Sequence, residues 1–369
     1  IAVANCPLGT EEPAPIQYQL AKVTDTGAYQ TVGGNARGVD AVDQQPARTV
    51  ATQVSSGNNS TIGGGRNNTA SGAGATVAGG ETCVASGGDS VAAGAASQAT
   101  GLYSGALSGN NNVASAQGAV VSGGENGTAS NLQSFVGGGS GCTSSGAKSV
   151  CVGGQICQAT GDESVCAGGL TNVASGTTSA ILGGDSNAAV NLNSAILGGR
   201  ENSTNADNSA IIGGRQANTY LYSQIAHGSG QFAVVGDSQA SECIASRTTT
   251  DASASQELFL DGSGATQRLT VPNNTSWAFE IQLIARSSVG VTAAWEAKGA
   301  IMNNAGTVTV PAAVTVASLS DGTGGTWGVA GNFQVDADDP NNSLRLRVTG
   351  AAATTIRWTA VIRIVEVGF

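Results

Sequence analysis

The sequence predicts an all-β protein: a trimeric parallel β-solenoid (a β-roll) of 14–15-residue coils, followed by a C-terminal antiparallel β-sandwich or jelly-roll domain. Three observations carry this. Glycine supplies 55 of 369 residues, about twice the usual share. A Gly-closed phrase recurs through the middle of the chain at a nearly constant interval. No proline lies between residues 47 and 271, and all four tryptophans lie beyond that stretch.

The composition also excludes classes. Collagen needs glycine at one residue in three. An ordinary α/β enzyme is disfavoured, because glycine costs a helix about 1 kcal/mol per residue. Apolar residues make up 40% and charged residues only 11%, which is not a disordered, self-repelling chain. The net charge of −10 argues against a nucleic acid partner. No run reaches the roughly 18 apolar residues of a membrane helix, so no membrane insertion is expected. The chain begins at Ile1 without a signal-peptide pattern, which fits a processed terminus.

In chain order, residues 1–55 hold four of the seven prolines and Cys6. They read as an extended N-terminal arm or attachment segment. Residues 56–249 hold the repeat. Anchoring each phrase on the first glycine of its closing pair gives Gly64, Gly79, Gly94, Gly109, Gly123, Gly138, Gly153, Gly168, Gly183, Gly198 and Gly213, with His227 in the last place. The spacing is 15, apart from steps of 14 after Gly109 and before His227.

Each copy holds two strand-like phrases, as in Ser179–Gly183 and Asn172–Gly176. Both alternate with the period of a half-buried strand. The expected core column lies two residues before the anchor: Ile62, Val77, Ala92, Leu107, Val121, Val136, Cys151, Cys166, Ile181, Ile196, Ile211 and Ile225. A second inward column runs Ala70, Ala85, Thr100, Ser115, Ala129, Ser144, Ala159, Ala174, Ala189, Thr204 and Thr219. Corner glycines such as Gly72, Gly87, Gly146 and Gly176 suit turns with φ > 0. One large apolar side chain per coil is too little core for a single chain. Several chains are therefore expected to pack together, with the apolar column facing a symmetry axis. Twelve coils would make a rod on the order of 55 Å long.

Residues 250–369 carry period-2 runs at Trp277–Arg286, Leu344–Val348 and Ile356–Val367. Turn phrases at Pro272–Asn274, Asp321–Gly325 and Asp338–Asn342 break them up, the pattern of an antiparallel sandwich.

The Ser-Val-Ala-x-Gly and Asn-x-Ala-x-Gly phrases, over about residues 56–230, resemble the head repeat of trimeric autotransporter adhesins, a left-handed parallel β-roll of three chains. Here a doubled glycine closes most first strands. Such doubled-Gly repeats, entered through Gly34-Asn35-Ala36-Arg37-Gly38 and Ala41-Val42-Asp43, resemble those of phage tail fibres and prophage structural proteins. The strings Glu257–Gly262, Arg268–Pro272 and Thr275–Phe279 are similar to a C-terminal domain of phage fibre-like proteins. The resemblance implies a structural, non-enzymatic homotrimeric fibre of a phage tail or virion appendage, outside the cell. Its N-terminal segment would join a tail or baseplate protein. Its C-terminal domain would meet a host-surface receptor such as a glycan.

The alternative is a bacterial trimeric surface adhesin. That class needs an outer-membrane anchor, yet the face running back from Phe369 carries Arg363 and Arg357, which are costly in lipid. No heptad stalk is present. An ice-binding solenoid needs a regular threonine array, and the threonines here are irregular.

No catalytic residue, cofactor or metal site is expected. His227 is the lone histidine and reads as a turn or cap. The run Asp336-Ala337-Asp338-Asp339-Pro340 reads as a solvated turn, since no EF-hand Gly and Glu follow it. Cys142 and Cys157 share a column one coil apart, close enough for a disulfide or for two small fillers. Cys151 and Cys166 read as core fillers. The single histidine and thin coils argue against a depolymerase.

Overall fold

The computed structural model describes residues 29–30, 34–253, 255–262, 266–319, 327 and 330–369. Residues 1–28 of the expected arm, Cys6 among them, and the Asp321–Gly325 turn lie outside these. The described chain is all-β apart from single 3-10 turns at Ala330–Asn332 and Asp339–Asn341. It divides into two compact units, Ile1–Gly169 and Leu170–Phe369.

In the first unit the coils stack as parallel ladders. One ladder runs from Tyr29–Gln30 through Val42–Asp43, Thr61–Ile62, Thr76–Glu81, Val91–Ala95, Gly105–Ala106, Val120–Val121, Phe135–Val136 and Val150–Cys151 to Val165–Cys166. A second runs from Thr69–Ala70 to Gln158–Ala159. Single-residue bridges form a third, joining Ala95, Asn110, Glu125, Ser140 and Gln155 in turn. Each coil therefore has three sides, where the apolar pattern marked two. The bridge residues are exposed and of mixed type, so they left no hydrophobic trace in the sequence.

The second unit begins with the same pattern, from Ala180–Ile181 to Ile225–Ser229 on one ladder and from Val173–Ala174 to Asn218–Thr219 on the other. The chain then reverses. Ser238–Thr249 pairs antiparallel with Ile225–Ser229 and, along its whole length, with Ile356–Gly368. Thr275–Ser287 and Thr292–Asn304 widen this sheet. A smaller sheet of Phe333–Asp338, Ser343–Val348, Gln256–Glu257 and Leu269–Thr270 covers it. Trp277, Trp295, Trp358 and Phe333 fill the space between the sheets. The Trp295 ring lies 5.6 Å from Trp358 and 6.4 Å from Phe333. The result is a two-sheet sandwich.

Inside the coils the core columns are fully buried. One reads Ile62, Val77, Ala92, Ala106, Val121, Val136, Cys151 and Cys166 in the first unit, and Ile181, Ile196, Ile211 and Ala226 in the second. The other reads Ala70, Ala85, Ala99, Ala114, Ala129, Ser144 and Ala159, then Ala174, Ala189, Thr204 and Thr219. The third side closes each coil, so a single chain buries both columns within itself. This corrects the expectation that the apolar column faces a symmetry axis.

Four residues move out of the core. Leu107 is 45% exposed and Ile225 46%, with Ala106 and Ala226 inside instead. Thr100 and Ser115 are exposed, with Ala99 and Ala114 inside. The cause is the position of the one-residue deletions. The coil entered at Val91 lacks one residue beside Ala93, where Val77 pairs Ala92 but Gly80 pairs Gly94. Gly94 and Gly109 therefore occupy the second glycine place. Counting two back from Gly109 lands one residue late. A similar shift between Ile211 and Gly213, opposite His227, makes the count to Ile225 one residue early.

The glycines also divide by role. A Cβ on Gly138, Gly153, Gly183 or Gly198 would meet nothing within 4 Å. The glycine that follows each is the constrained one. Gly184 has φ +95°, and a Cβ there would lie 2.2 Å from the Gly199 carbonyl oxygen of the next coil. Gly72, Gly87, Gly146 and Gly176 are not at positive φ; a Cβ on any of them would strike the carbonyl of the coil above at about 2 Å. Positive φ is therefore not what places glycine there, and the same column also holds Ala116, Asn131, Asn191 and Ala206. The left-handed corners fall elsewhere and accept Asn126, Ile156, Thr171 and Glu201.

A buried polar column runs beside the second ladder. Asn187 donates to the Gly183 and Gly199 carbonyls at 3.2 and 3.0 Å, while its Oδ1 accepts from the Asn202 amide at 3.1 Å. Asn112 does the same with Ser108, Gly124 and Gly127.

The adjacent glycines make a direct comparison. Gly183→Ala should change stability by less than about 0.5 kcal/mol. Gly184→Ala should cost about 2 kcal/mol or more, from strained φ plus a backbone clash. Thermal or denaturant unfolding of the two variants measures this.

Candidate functional site

Two surface features of the second unit stand apart from its structural core. The first is an apolar stripe. On a strand, the neighbours of a buried residue point outward. Beside buried Ile181, Ile196 and Ile211 stand Leu182, Leu197 and Ile212, exposed by 59%, 51% and 54%. Ile225 belongs to the same outward face. A hollow of about 690 Å³ lined by Ile212, Ile225, His227, Ala240 and Val365 carries the stripe onto the antiparallel sheet. Ile244, Ile284 and Val367 are exposed on that sheet. Charged groups of this face include the Arg363–Glu242 pair at 3.1 Å and Lys298 between Glu280 and Glu296 at 3.3 and 2.6 Å, with Arg286 and Arg357 further along the sheet.

The second feature is a cleft of about 410 Å³ lined by Asn218, Tyr220, Val234, Val235, Asp237, Thr270, Pro272, Asn273, Thr275, Glu366 and Phe369. Its floor is Glu366. In the alternation of Ile356–Gly368, Glu366 falls on the inward phase with Ile362 and Ile364, so its carboxyl is buried. Tyr220 Oη donates to Glu366 Oε2, and Gln239 Nε2 donates to the same oxygen at 3.1 Å. Burial pushes Glu366 up to about 7, with the hydrogen-bonding side chains of Tyr220, Gln239 and Trp277 opposing and the Asp237 charge adding. Burial, then the Glu366 charge, also holds Tyr220 well above its ordinary value.

Asp237 plays a different part. Burial alone would raise it, but the backbone N–H groups of Val234, Ala233 and Phe232, at 2.8, 2.6 and 2.8 Å, together pull it down. Its carboxylate is thereby committed to shaping the 232–237 loop that walls the cleft.

The residues singled out by sequence do not converge. His227 lies on the outward face, opposite Ala240. Asp336 pairs with Arg345 at 2.9 Å and with Arg347. Asp339 accepts from the Val308 amide at 2.7 Å. Among the described residues no group of three metal-ligating side chains occurs, and no helix is long and apolar enough to cross a membrane.

Cys83, Cys142, Cys151, Cys157, Cys166 and Cys243 are all buried thiols. Cys142 and Cys157, raised above as a disulfide pair, instead occupy the asparagine column. Cys142 Sγ lies 3.4 Å from the Gly153 carbonyl, and Cys157 Sγ 3.4 Å from that of Gly169. Cys83 reaches Gly94 in the same way at 3.2 Å. Each thiol stands in for an asparagine amide. Cys243 is pushed up to about 12 by burial.

Sequence reasoning missed Glu366, Tyr220 and the entry of the solenoid. There Asp43 takes the core-column place, pairs in register with Ile62, and is held by Arg37 and Arg48 at 2.8 and 3.0 Å. The readable signal in both cases is a carboxylate in the inward phase of an apolar alternation.

No family model and no curated protein matches the chain. Among solved structures it is similar to the Acinetobacter phage vB_ApiP_P1 tailspike protein, at 8% identity and a TM-score of 0.19, over 90% of this chain and 81% of that one. It is also similar to tailspike gp49 of Acinetobacter baumannii bacteriophage Fri1, a capsular polysaccharide depolymerase. That match has 8% identity and a TM-score of 0.20, over 82% of this chain and 61% of that one. A likeness this distant assigns no function by itself. Both proteins are phage tailspikes, the kind of virion appendage to which the repeat and the C-terminal strings pointed. The sequence-based exclusion of an enzyme does not stand. One of these two tailspikes is a depolymerase, and glycoside chemistry runs on carboxylates, so a lone histidine does not argue against it.

Glu366 gives a pH signature. Its folded value of about 7 lies above the ordinary 4.5, so between these the folded chain holds a proton that the unfolded chain has lost. Stability should fall as pH rises through this window and stay low above it. At about 1.4 kcal/mol per pKa unit, the full effect is about 3 kcal/mol. Glu366→Gln should flatten the slope and raise stability at pH 8, as read from denaturant midpoints across pH 4–9.

Proposed function

We propose that the chain is a homotrimeric fibre of a phage tail or related virion appendage. The solenoid spaces a C-terminal β-sandwich from the virion, and the sandwich meets the host surface. Residues 1–55 join a tail or baseplate protein in this reading, residues 56–249 form the shaft, and residues 250–369 bind. The observation that carries it is the outward stripe of Leu182, Leu197, Ile212 and Ile225, continued by Val365 and Ile244. Contiguous apolar surface of this kind marks an interaction face. Leu182, Leu197 and Ile212 repeat at the coil period of 15 residues, so a second and third copy of these three rungs match them rung for rung. The trimer axis is thus assigned to the outward side of the ladder, and the buried columns stay private to each chain. Three identical sandwiches at one end would convert weak receptor contacts into avidity.

Light scattering on the purified chain should give three chain masses of 36.0 kDa. Leu197→Asp with Ile212→Asp should reduce this to one mass and leave the β circular-dichroism spectrum intact, because both side chains lie outside the coil. A wild-type monomer would sink the trimer reading. Adsorption of the full chain to a panel of bacterial strains tests attachment, and failure on every strain counts against it.

A further inference from the structure

We propose that the Glu366 cleft is a receptor pocket for a neutral saccharide. This rests on the attachment reading above and gives it an address. The volume of about 410 Å³ falls in the range of small-ligand pockets. Its lining combines two kinds of surface. Pro272, Val234, Val235, Phe369 and the Tyr220 ring supply apolar walls, and Phe369 is almost fully exposed. Carboxyl, amide and hydroxyl groups converge between them.

Several of these polar groups are unspent. Tyr220 and Gln239 both donate to Glu366 Oε2, and the Trp277 indole N–H is the further group acting on the carboxyl, at a geometry too loose for a full hydrogen bond, which leaves Oε1 capacity to spare. The side chains of Thr270 and Asn273 also line the cleft and make no hydrogen bond among the described residues. A pocket that offers acceptors and donors beside apolar walls matches a ring that carries hydroxyls on its edge and C–H groups on its faces.

Charge settles the class further. No lysine or arginine lines the cleft, while Asp237 and Glu366 do. Phosphate, sulfate and uronate groups therefore meet no partner cation there and face carboxylates instead. The burial of Glu366, which holds its carboxyl about half protonated near neutral pH, lets Oε1 accept from or donate to a sugar hydroxyl.

The test uses the full chain and defined probes. Lactose, maltose, cellobiose and diacetylchitobiose, with galacturonate and sialyllactose as acidic controls, are titrated at up to about 10 mM with ligand-observed NMR. At least one neutral disaccharide should bind, with neither acidic control binding better. Thr270→Val and Asn273→Ala should each weaken it by about tenfold. Both residues are at the surface of the cleft, and unchanged mass and circular dichroism confirm that each variant folds. No neutral binder in the panel, tighter binding of an acidic sugar, or full affinity in both variants overturns the proposal. Cell adsorption separates the two levels. Adsorption that survives in the Thr270→Val, Asn273→Ala double variant removes the cleft and leaves attachment standing. A wild-type chain that adsorbs to no strain removes attachment itself, whatever the sugar titration shows.

Discussion

Everything in the repeat follows from one distance. Coils joined by parallel ladder bonds must stack at the strand spacing, about 4.8 Å. With coils so short, the corners as well as the sides are held at that spacing. At the tightest corners the carbonyl of one coil then occupies the place a Cβ would take on the coil below, as at Gly184 under Gly199. Glycine is not there to loosen the chain. It is the only residue that lets the ladders close on so small a perimeter. Small interior residues are the matching consequence: a coil of this girth has room for an Ile or Val facing an Ala, Ser or Thr.

The same girth explains the polar column. A corner that turns in so few residues leaves glycine carbonyls pointing inward, and buried carbonyls need donors. Asn187 and Asn202 supply them from below and pass an amide oxygen to the next coil. Cys142 and Cys157 fill the same place with a weaker donor. The column also admits Gly127 and Ala217, which only receive the amide oxygen of the coil before, so the donor is dispensable in single coils while the full amide adds the link between coils.

Much of this was legible beforehand. The period, the two inward columns and the antiparallel sandwich with its tryptophans could be read from glycine spacing, alternation and the placement of proline. Three things were not. The third side of the coil is exposed and of mixed composition, so hydrophobicity could not report it, and its absence led to the inference of a core shared between chains. The deletion near Ala93 was hidden because Gly94 and Gly109 look like anchors while standing in the second glycine place, which displaced Leu107. The cleft depends on residues from distant stretches, Tyr220, Asn273 and Glu366, that only the sandwich brings together. Its one local clue was a glutamate in phase with Ile362 and Ile364.

The reversal at Ser238 has a consequence for solubility. A stack of parallel ladders ends in a row of unpaired N–H and C=O groups, a template on which further strands can grow without limit. In the second unit Ser238–Thr249 lies antiparallel on the last rung, Ile225–Ser229, and hands its other edge to Ile356–Gly368. The growth direction is thereby spent inside the molecule. The fold that most resembles an endless cross-β stack thus carries its own terminator at this end.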